Sequence, residues 1–288
     1  MSDGLSPKGQ FEPIHAAHSI EHVVFVLRFE SSLDDEIFAQ VRNAAKKFET
    51  EADMPRREKQ PGISFTVQAA GQLPATSVQI SGLMLQRMRA DGSIEKELRF
   101  DHNSIAFKTS LYTSWDMVWL QAKSYFEALA PIYAPHTKIA GVGLNYVDKF
   151  EWVGDRAKCR VDDLLRVGSD YLCPHIFNAK DFWHSHTGVF IRADKQTKRL
   201  LNVNVDYLDE NRADELCRVI SVTTVLTDLF NQSTFDPLGV SNYESLEVSA
   251  ENIVKFFDDH ITELHVFSKK IVGYVINDKM NKRIALIG

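Results

Sequence analysis

The chain has 288 residues, 44% hydrophobic and 25% charged, which excludes a disordered chain and allows a core that needs no disulfide or metal staple. Its 33 basic and 39 acidic side chains leave a net charge of −6, which disfavours a nucleic-acid binder; the basic clusters, Lys46-Lys47, Arg56-Arg57-Glu58-Lys59 and Lys269-Lys270, are short. Three irregularly spaced cysteines, no apolar core for a secretory signal near the N-terminus and no run of the ~20 apolar residues a membrane helix needs point to a reduced, cytoplasmic protein with no membrane association.

Residues 1–19 read as a flexible tail. Ile20 to Glu30 is rich in β-branched and aromatic residues and predicts a first strand. Ser32 is placed to cap a helix whose apolar face is Leu33, Ile37, Val41, Ala44, Ala45 and Phe48, ending near Thr50. Glu51 to Gly62, charged and carrying Pro55 and Pro61, reads as an exposed loop, followed by a short strand over 63–68 and a loop over 69–77. A three-stranded meander comes next: 78–88, a two-residue type I′ turn at Asp91-Gly92, 94–100, a tight turn at His102-Asn103, and 105–111.

Ser114 then caps a helix that presents Trp115, Val118, Trp119, Ala122, Phe126 and Leu129 on one face and is ended by Pro131 and Pro135. A long strand runs from Lys138 to Trp152. Gly141 and Gly143 share one of its faces, which marks close approach of another backbone, a ligand or a bulge. The second half is less regular. It contains a short helix over 161–167, a hairpin of 188–193 with 199–208, a strand over 216–226, an irregular stretch over 230–247, and a helix capped by Ser249. That last helix carries Ile253, Phe257, Ile261, Leu264 and Ile271 on one face and stops near Gly273. The expected fold class is α+β, mostly antiparallel sheet with three long amphipathic helices. Residues 20–152 and 153–288 form two α+β subdomains, on one reading two related β-β-β-α units.

Several of these segments carry a resemblance. Pro13-Ile14 lies ahead of an apolar strand ending Arg28-Phe29-Glu30; Tyr112-x-x-Trp115 opens the central helix; Gly143-Leu144-Asn145-Tyr146-Val147-Asp148 follows; Phe257 to Lys270 closes the chain. Together they resemble a family of uncharacterised proteins of about this length that is sporadically distributed among bacteria and archaea. The sequence departs from the family pattern at Gly141 or Val142 and at Asn145, where the family carries arginine, and at Asp148, where it carries asparagine. The resemblance transfers no catalytic residues. Its patchy distribution implies accessory or mobile genes, with phage defence as the association.

Candidate chemistry is sparse. Cys173, His175, His184 and His186 supply four soft or borderline ligands for a tetrahedral zinc, but their spacing matches no common zinc motif, and ordinary loop and strand-edge side chains account for them; no metal and no cofactor is expected. His15, His18 and His22 would share a helix face, but they enter a strand, where that spacing scatters them. Cys159 lies between Lys158 and Arg160, which could lower a thiol pKa, yet it sits in a connecting loop. No nucleophile elbow, P-loop or dinucleotide fingerprint occurs. Asp206, Asp209 and Glu210 read as solvated residues at a strand end, and Asp258-Asp259-His260 point in different directions on a helix. Two readings follow. The first is a non-catalytic binding or assembly protein, with a protein partner or self-association, whose candidate contact residues are Trp115, Trp119, Gly141, Gly143 and Asn145. The alternative is an enzyme with a dispersed site near His184 and His186.

Overall fold

The computed structural model describes residues 9–66, 75–194, 197–212, 215–230 and 250–286. It is a mixed α+β fold with ten strands in an open, mostly antiparallel sheet and, among the described residues, four α-helices. In chain order these are β1 (Gln10–Pro13), β2 (Ile20–Phe29), α1 (Asp35–Ala44), β3 (Arg56–Thr66), β4 (Ala75–Met88), β5 (Ile94–Asp101), β6 (Ser104–Thr109), α2 (Trp115–Tyr133), β7 (Ile139–Val153), β8 (Trp183–Arg192), β9 (Lys198–Arg212), β10 (Glu215–Leu229), α3 (Ala250–Val275) and α4 (Asp278–Arg283). No helix among the described residues is long and apolar enough to cross a membrane. The chain forms two compact units, each discontinuous in sequence. One comprises Val24–Val142 with Phe230–Asp259; the other comprises Met1–Val23, Gly143–Leu229 and His260–Gly288.

In the Val24–Val142 unit the strands neighbour one another in the order β3-β4-β5-β6-β2. Helix α1 is capped by Asp34, whose carboxylate accepts from the Ile37 amide at 2.8 Å, rather than by Ser32; the acidic side chain two residues later is the better acceptor for the first-turn amides. Segment 56–66, expected as a loop and a short strand, is strand β3 throughout. It pairs with β4, and the register shift between Gln60 and Pro61 absorbs the proline, which has no amide to donate. The β4–β5 turn also differs from expectation. Arg89 and Ser93 bracket three residues, the Gly92 amide donates to the Arg89 carbonyl, and only Gly92 takes a positive φ, of 82°. This is a type I turn closed by a left-handed glycine, and Asp91 locks it by accepting from the Ser93 amide at 2.8 Å.

Helix α2 begins at its Ser114 cap as expected but continues through Pro131 to Tyr133, because a proline in the last turn forfeits a single amide while Phe126, Leu129, Ala130 and Tyr133 remain buried. The expected loop over 69–77 lies partly, and the irregular stretch over 230–247 and the Ser249 cap lie almost wholly, outside the described residues.

In the other unit the order is β7-β10-β9-β8, with β1 on β7. Gln10–Pro13, assigned to the tail from sequence, pairs antiparallel with Phe150–Val153, and Phe11 packs its ring edge-on to Trp152 at 5.2 Å. Four residues with a single apolar anchor are too few to show a period. The expected helix over 161–167 is reduced to a single 3-10 turn, Val161–Asp163, with Leu164 and Leu165 buried beyond it. Helix α3 passes Gly273, and Asn277 caps α4 by accepting from the Met280 amide at 3.0 Å.

Strands β9 and β10 pair in register over fifteen residues, Lys198↔Leu229 to Arg212↔Glu215. On the buried face the opposed pairs run Arg199–Asp228, Leu201–Leu226, Val203–Thr224, Val205–Val222, Tyr207–Ile220 and Asp209–Arg218. An apolar stripe is thus closed at both ends by an arginine–carboxylate pair. Arg199 donates to Asp228 through Nε at 2.7 Å and Nη2 at 2.9 Å, and His260 Nδ1 lies 2.9 Å from the same carboxylate. Arg199→Met leaves the fully buried Asp228 without its main counter-charge and is expected to cost about 3–5 kcal/mol in urea unfolding. Combining it with Asp228→Leu should recover most of that loss; equal losses in the two variants would mean that the pair does not act as a unit.

Asp148 on β7 is another buried ionisable group. Ser19 donates to it at 2.6 Å, yet burial pushes its carboxyl up to about 6. A folded-state pKa above the unfolded value means the folded chain binds the extra proton, so this group's contribution to stability falls as pH rises from about 4 to about 6, by about 3 kcal/mol in total. Glu21, held down at about 2 chiefly by its hydrogen bond with His22, acts in the opposite sense and at lower pH. Asp148→Asn should therefore gain stability relative to the wild-type chain across pH 4 to 6 in parallel urea titrations. A difference that does not move with pH would show that Asp148 is not the titrating group.

Candidate binding site

Of the sequence candidates Trp119, Gly141 and Gly143 are buried, and Trp115 and Asn145 are partly buried. In the Val24–Val142 unit the indole of Trp119 stacks on Trp115 at 6.1 Å, packs against Phe25 at 5.4 Å and meets Phe257 edge-on at 5.2 Å. Its Nε1 donates to Asp258 at 2.5 Å, and Lys123 reaches the same carboxylate at 2.8 Å. Gly141 and Gly143 are buried on β7; Asn145 is partly buried there, and its Oδ1 has no hydrogen-bond partner among the described residues. Trp119→Ala is expected to cost ~3–5 kcal/mol in denaturant unfolding, with the less buried Trp115 costing less. A loss well below 1 kcal/mol at Trp119 would move these indoles from the core to a contact surface.

The histidine candidates fall on the other unit. His184 and His186 occupy one exposed face of β8, each opposite a polar residue of β9: His184 Nδ1 lies 2.7 Å from Asp206, and His186 Nδ1 contacts Asn204. Cys173 precedes the 3-10 turn Pro174–Asn178, and His175 is exposed on that turn. Among the described residues no group of three or more His, Cys, Asp or Glu side chains is placed to hold a metal. The three acids expected to share a strand end instead separate: Asp206 faces His184, Asp209 pairs with Arg218, and Glu210 with Glu21 flanks the ammonium of Lys149.

The same unit contains an open concavity of about 850 Å³ that sequence reasoning did not find. Its floor is the β9–β10 pair, through Tyr207, Asp209, Leu216 and Arg218; its walls are the connection after β7, through Arg156, Cys159, Arg160, Asp162 and Val167, and the approach to β8, through Phe177 and Lys180. Arg218 is held on every side. Its guanidinium contacts both oxygens of Asp209, donates to Tyr207 Oη at 2.8 Å, and lies over the rings of Phe182 at 5.0 Å and Tyr207 at 5.2 Å. That contact holds Asp209 below the usual carboxylate range. Arg160 does the same to Asp162 with a two-pronged contact at 3.0 and 2.5 Å. Arg156 donates to the Leu216 carbonyl at 3.2 Å and lies 3.5 Å from the already paired Asp209, and Lys180 makes no ion pair among the described residues. Four cations against two carboxylates leave the concavity with two positive charges in excess, on a chain of net charge −6.

Cys159, expected as an ordinary thiol in a connecting loop, is partly buried, and burial pushes its thiol up against the lowering effect of its contacts with Tyr207 and Arg218. Among the described residues the lining contains no histidine and no glutamate. Carboxylates already neutralised by arginine, with Arg156 and Lys180 beside them, suit this surface to binding anions.

No protein-family model matches the chain, and no curated protein matches it.

Proposed function

We propose that this chain is a non-catalytic binding protein that holds an acidic segment of a protein partner in the concavity between β9, β10 and the connection after β7. The observation that carries this reading is the charge balance of the lining, where both carboxylates are matched by arginine and the charges of Arg156 and Lys180 remain over. Exposed Val167 and Leu216 on the same surface suit a segment that mixes acidic with apolar side chains. Two surplus cations are few for the repeating phosphates of a nucleic acid, where affinity rests on neutralising many of them.

The test is fluorescence anisotropy at low salt with three labelled probes: a peptide of alternating glutamate and leucine, its lysine–leucine counterpart, and a single-stranded oligonucleotide. The acidic peptide should bind best, and Arg156→Glu with Lys180→Glu should weaken it at least tenfold without lowering the melting temperature, since both side chains are exposed. Tighter binding of the oligonucleotide, or an acidic peptide unaffected by the charge reversal, would overturn the reading. The alternative, an enzyme centred on His184 and His186, is supported by the His184–Asp206 contact.

A further inference from the structure

We infer that the acidic group held in the concavity is a phosphate ester on a side chain of the protein partner, an inference that rests on the acidic-segment reading and narrows it. The surplus charge favours a dianion. Arg160 is committed to Asp162 and Arg218 to Asp209, each by a two-pronged contact. Tyr207 Oη at 2.8 Å and the rings of Phe182 and Tyr207 hold Arg218 further, so neither arginine is released to a ligand. Both instead screen the two carboxylates from an approaching anion. Arg156 and Lys180, exposed on the two walls, carry the remaining charge. A glutamate would cancel one of these charges, whereas a phosphorylated serine, threonine or tyrosine carries about −1.5 to −2 at pH 7 and cancels both.

The donors suit the same group. Arg156 is steadied by the Leu216 carbonyl at 3.2 Å through Nη1, which leaves the rest of its guanidinium fork for a ligand. Lys180 carries its ammonium on a flexible four-carbon arm, so that charge can follow an anion seated at Arg156 within a space of about 850 Å³. A phosphate presents three acceptor oxygens in a tetrahedral spread, against two in one plane for a carboxylate, and so meets cations that approach from separate walls. A phosphate ester also has a titration of its own, with a second ionisation near pH 6. The acids of the lining stay clear of that range. Arginine holds Asp162 and Asp209 below the usual carboxylate range, and burial pushes Cys159 and Tyr207 up. Arginine and lysine ordinarily titrate above about pH 10. Affinity that follows the second ionisation between about pH 5 and 7.5 therefore reports the ligand.

Fluorescence anisotropy of the intact chain at fixed low ionic strength tests this with three labelled leucine-rich peptides that differ at one position: serine, glutamate or phosphoserine. At about pH 7.5 the phosphoserine peptide should bind at least tenfold tighter than the glutamate peptide, and the serine peptide weakest of all. Arg156→Gln with Lys180→Gln should erase the preference for phosphoserine over glutamate. At about pH 5, where the ester is close to a monoanion, the preference in the wild-type chain should fall to about threefold or less. Inorganic phosphate should displace the phosphopeptide only in at least hundredfold excess, because Val167 and Leu216 contact the residues around the ester and not a free ion. Displacement at equal concentration would reassign the site to free phosphate and overturn the proposal. Equal binding of the glutamate and phosphoserine peptides at about pH 7.5 would also overturn it and leave the acidic-segment reading standing. Binding by neither peptide would sink both readings.

Discussion

The register of β9 against β10 is the constraint on which the rest of its unit depends. Two arginine–carboxylate pairs lie directly opposite one another across this hairpin, Arg199–Asp228 near its open end and Asp209–Arg218 near its turn, with the arginine on a different strand each time. A slip of one residue would send every buried side chain of the stripe to the other face. A slip of two would keep the faces but break both ion pairs together and strand the Asp228 carboxylate, which is completely buried. An unpaired charge in that position costs several kcal/mol, more than any apolar mismatch along the stripe. The apolar pairs supply burial, and the charged ends choose which of the apolar registers survives.

The same alternation distributes chemistry between two surfaces. Odd residues of β9 and even residues of β10 carry the ion pairs and form the concavity floor, so Arg218 reaches it already fixed by Asp209, Tyr207 and Phe182. Even residues of β9 face the other way and set Asp206 and Asn204 beneath His184 and His186. The sequence clusters Asp206 with Asp209 and Glu210, but a strand has a period of two and cannot deliver neighbours to one site. Burial has a comparable effect on Cys159. Its basic neighbours in the chain could lower the thiol pKa, and its loss of water, the largest effect, raises it.

Helix-forming stretches were legible from sequence wherever a period and a cap coincide, as at Ser114 with the Trp115–Leu129 face and along Ile253, Phe257, Ile261 and Leu264. Strands flanked by charge or proline were not: β3 reads as a loop because Arg56, Arg57, Glu58 and Lys59 stand on a strand whose proline is accommodated at a register shift. The concavity was hidden because its residues come from four separate segments, none carrying a motif. One signal was nonetheless present. Asp209 and Arg218 are equidistant from the turn between Arg212 and Glu215, and so are Arg199 and Asp228. Opposite charges placed symmetrically about a turn are what an antiparallel ladder reads as cross-strand partners. Recognition of that symmetry gives the hairpin register, and with it the floor of the site.

The discontinuity of the two units carries a consequence for biosynthesis. The unit built on Met1–Val23 and Gly143–Leu229 is completed only by His260–Gly288, and the other waits for Phe230–Asp259. Neither can close while the chain is still emerging through its middle third. During synthesis the aromatic face of α2, complete at Tyr133, is therefore held without Phe257 until the chain has grown past that residue. Long-range closure of this kind slows folding and leaves sticky intermediates exposed. Both units depend on segments late in the chain, so termination before Phe230 yields two incomplete units rather than one finished and one missing.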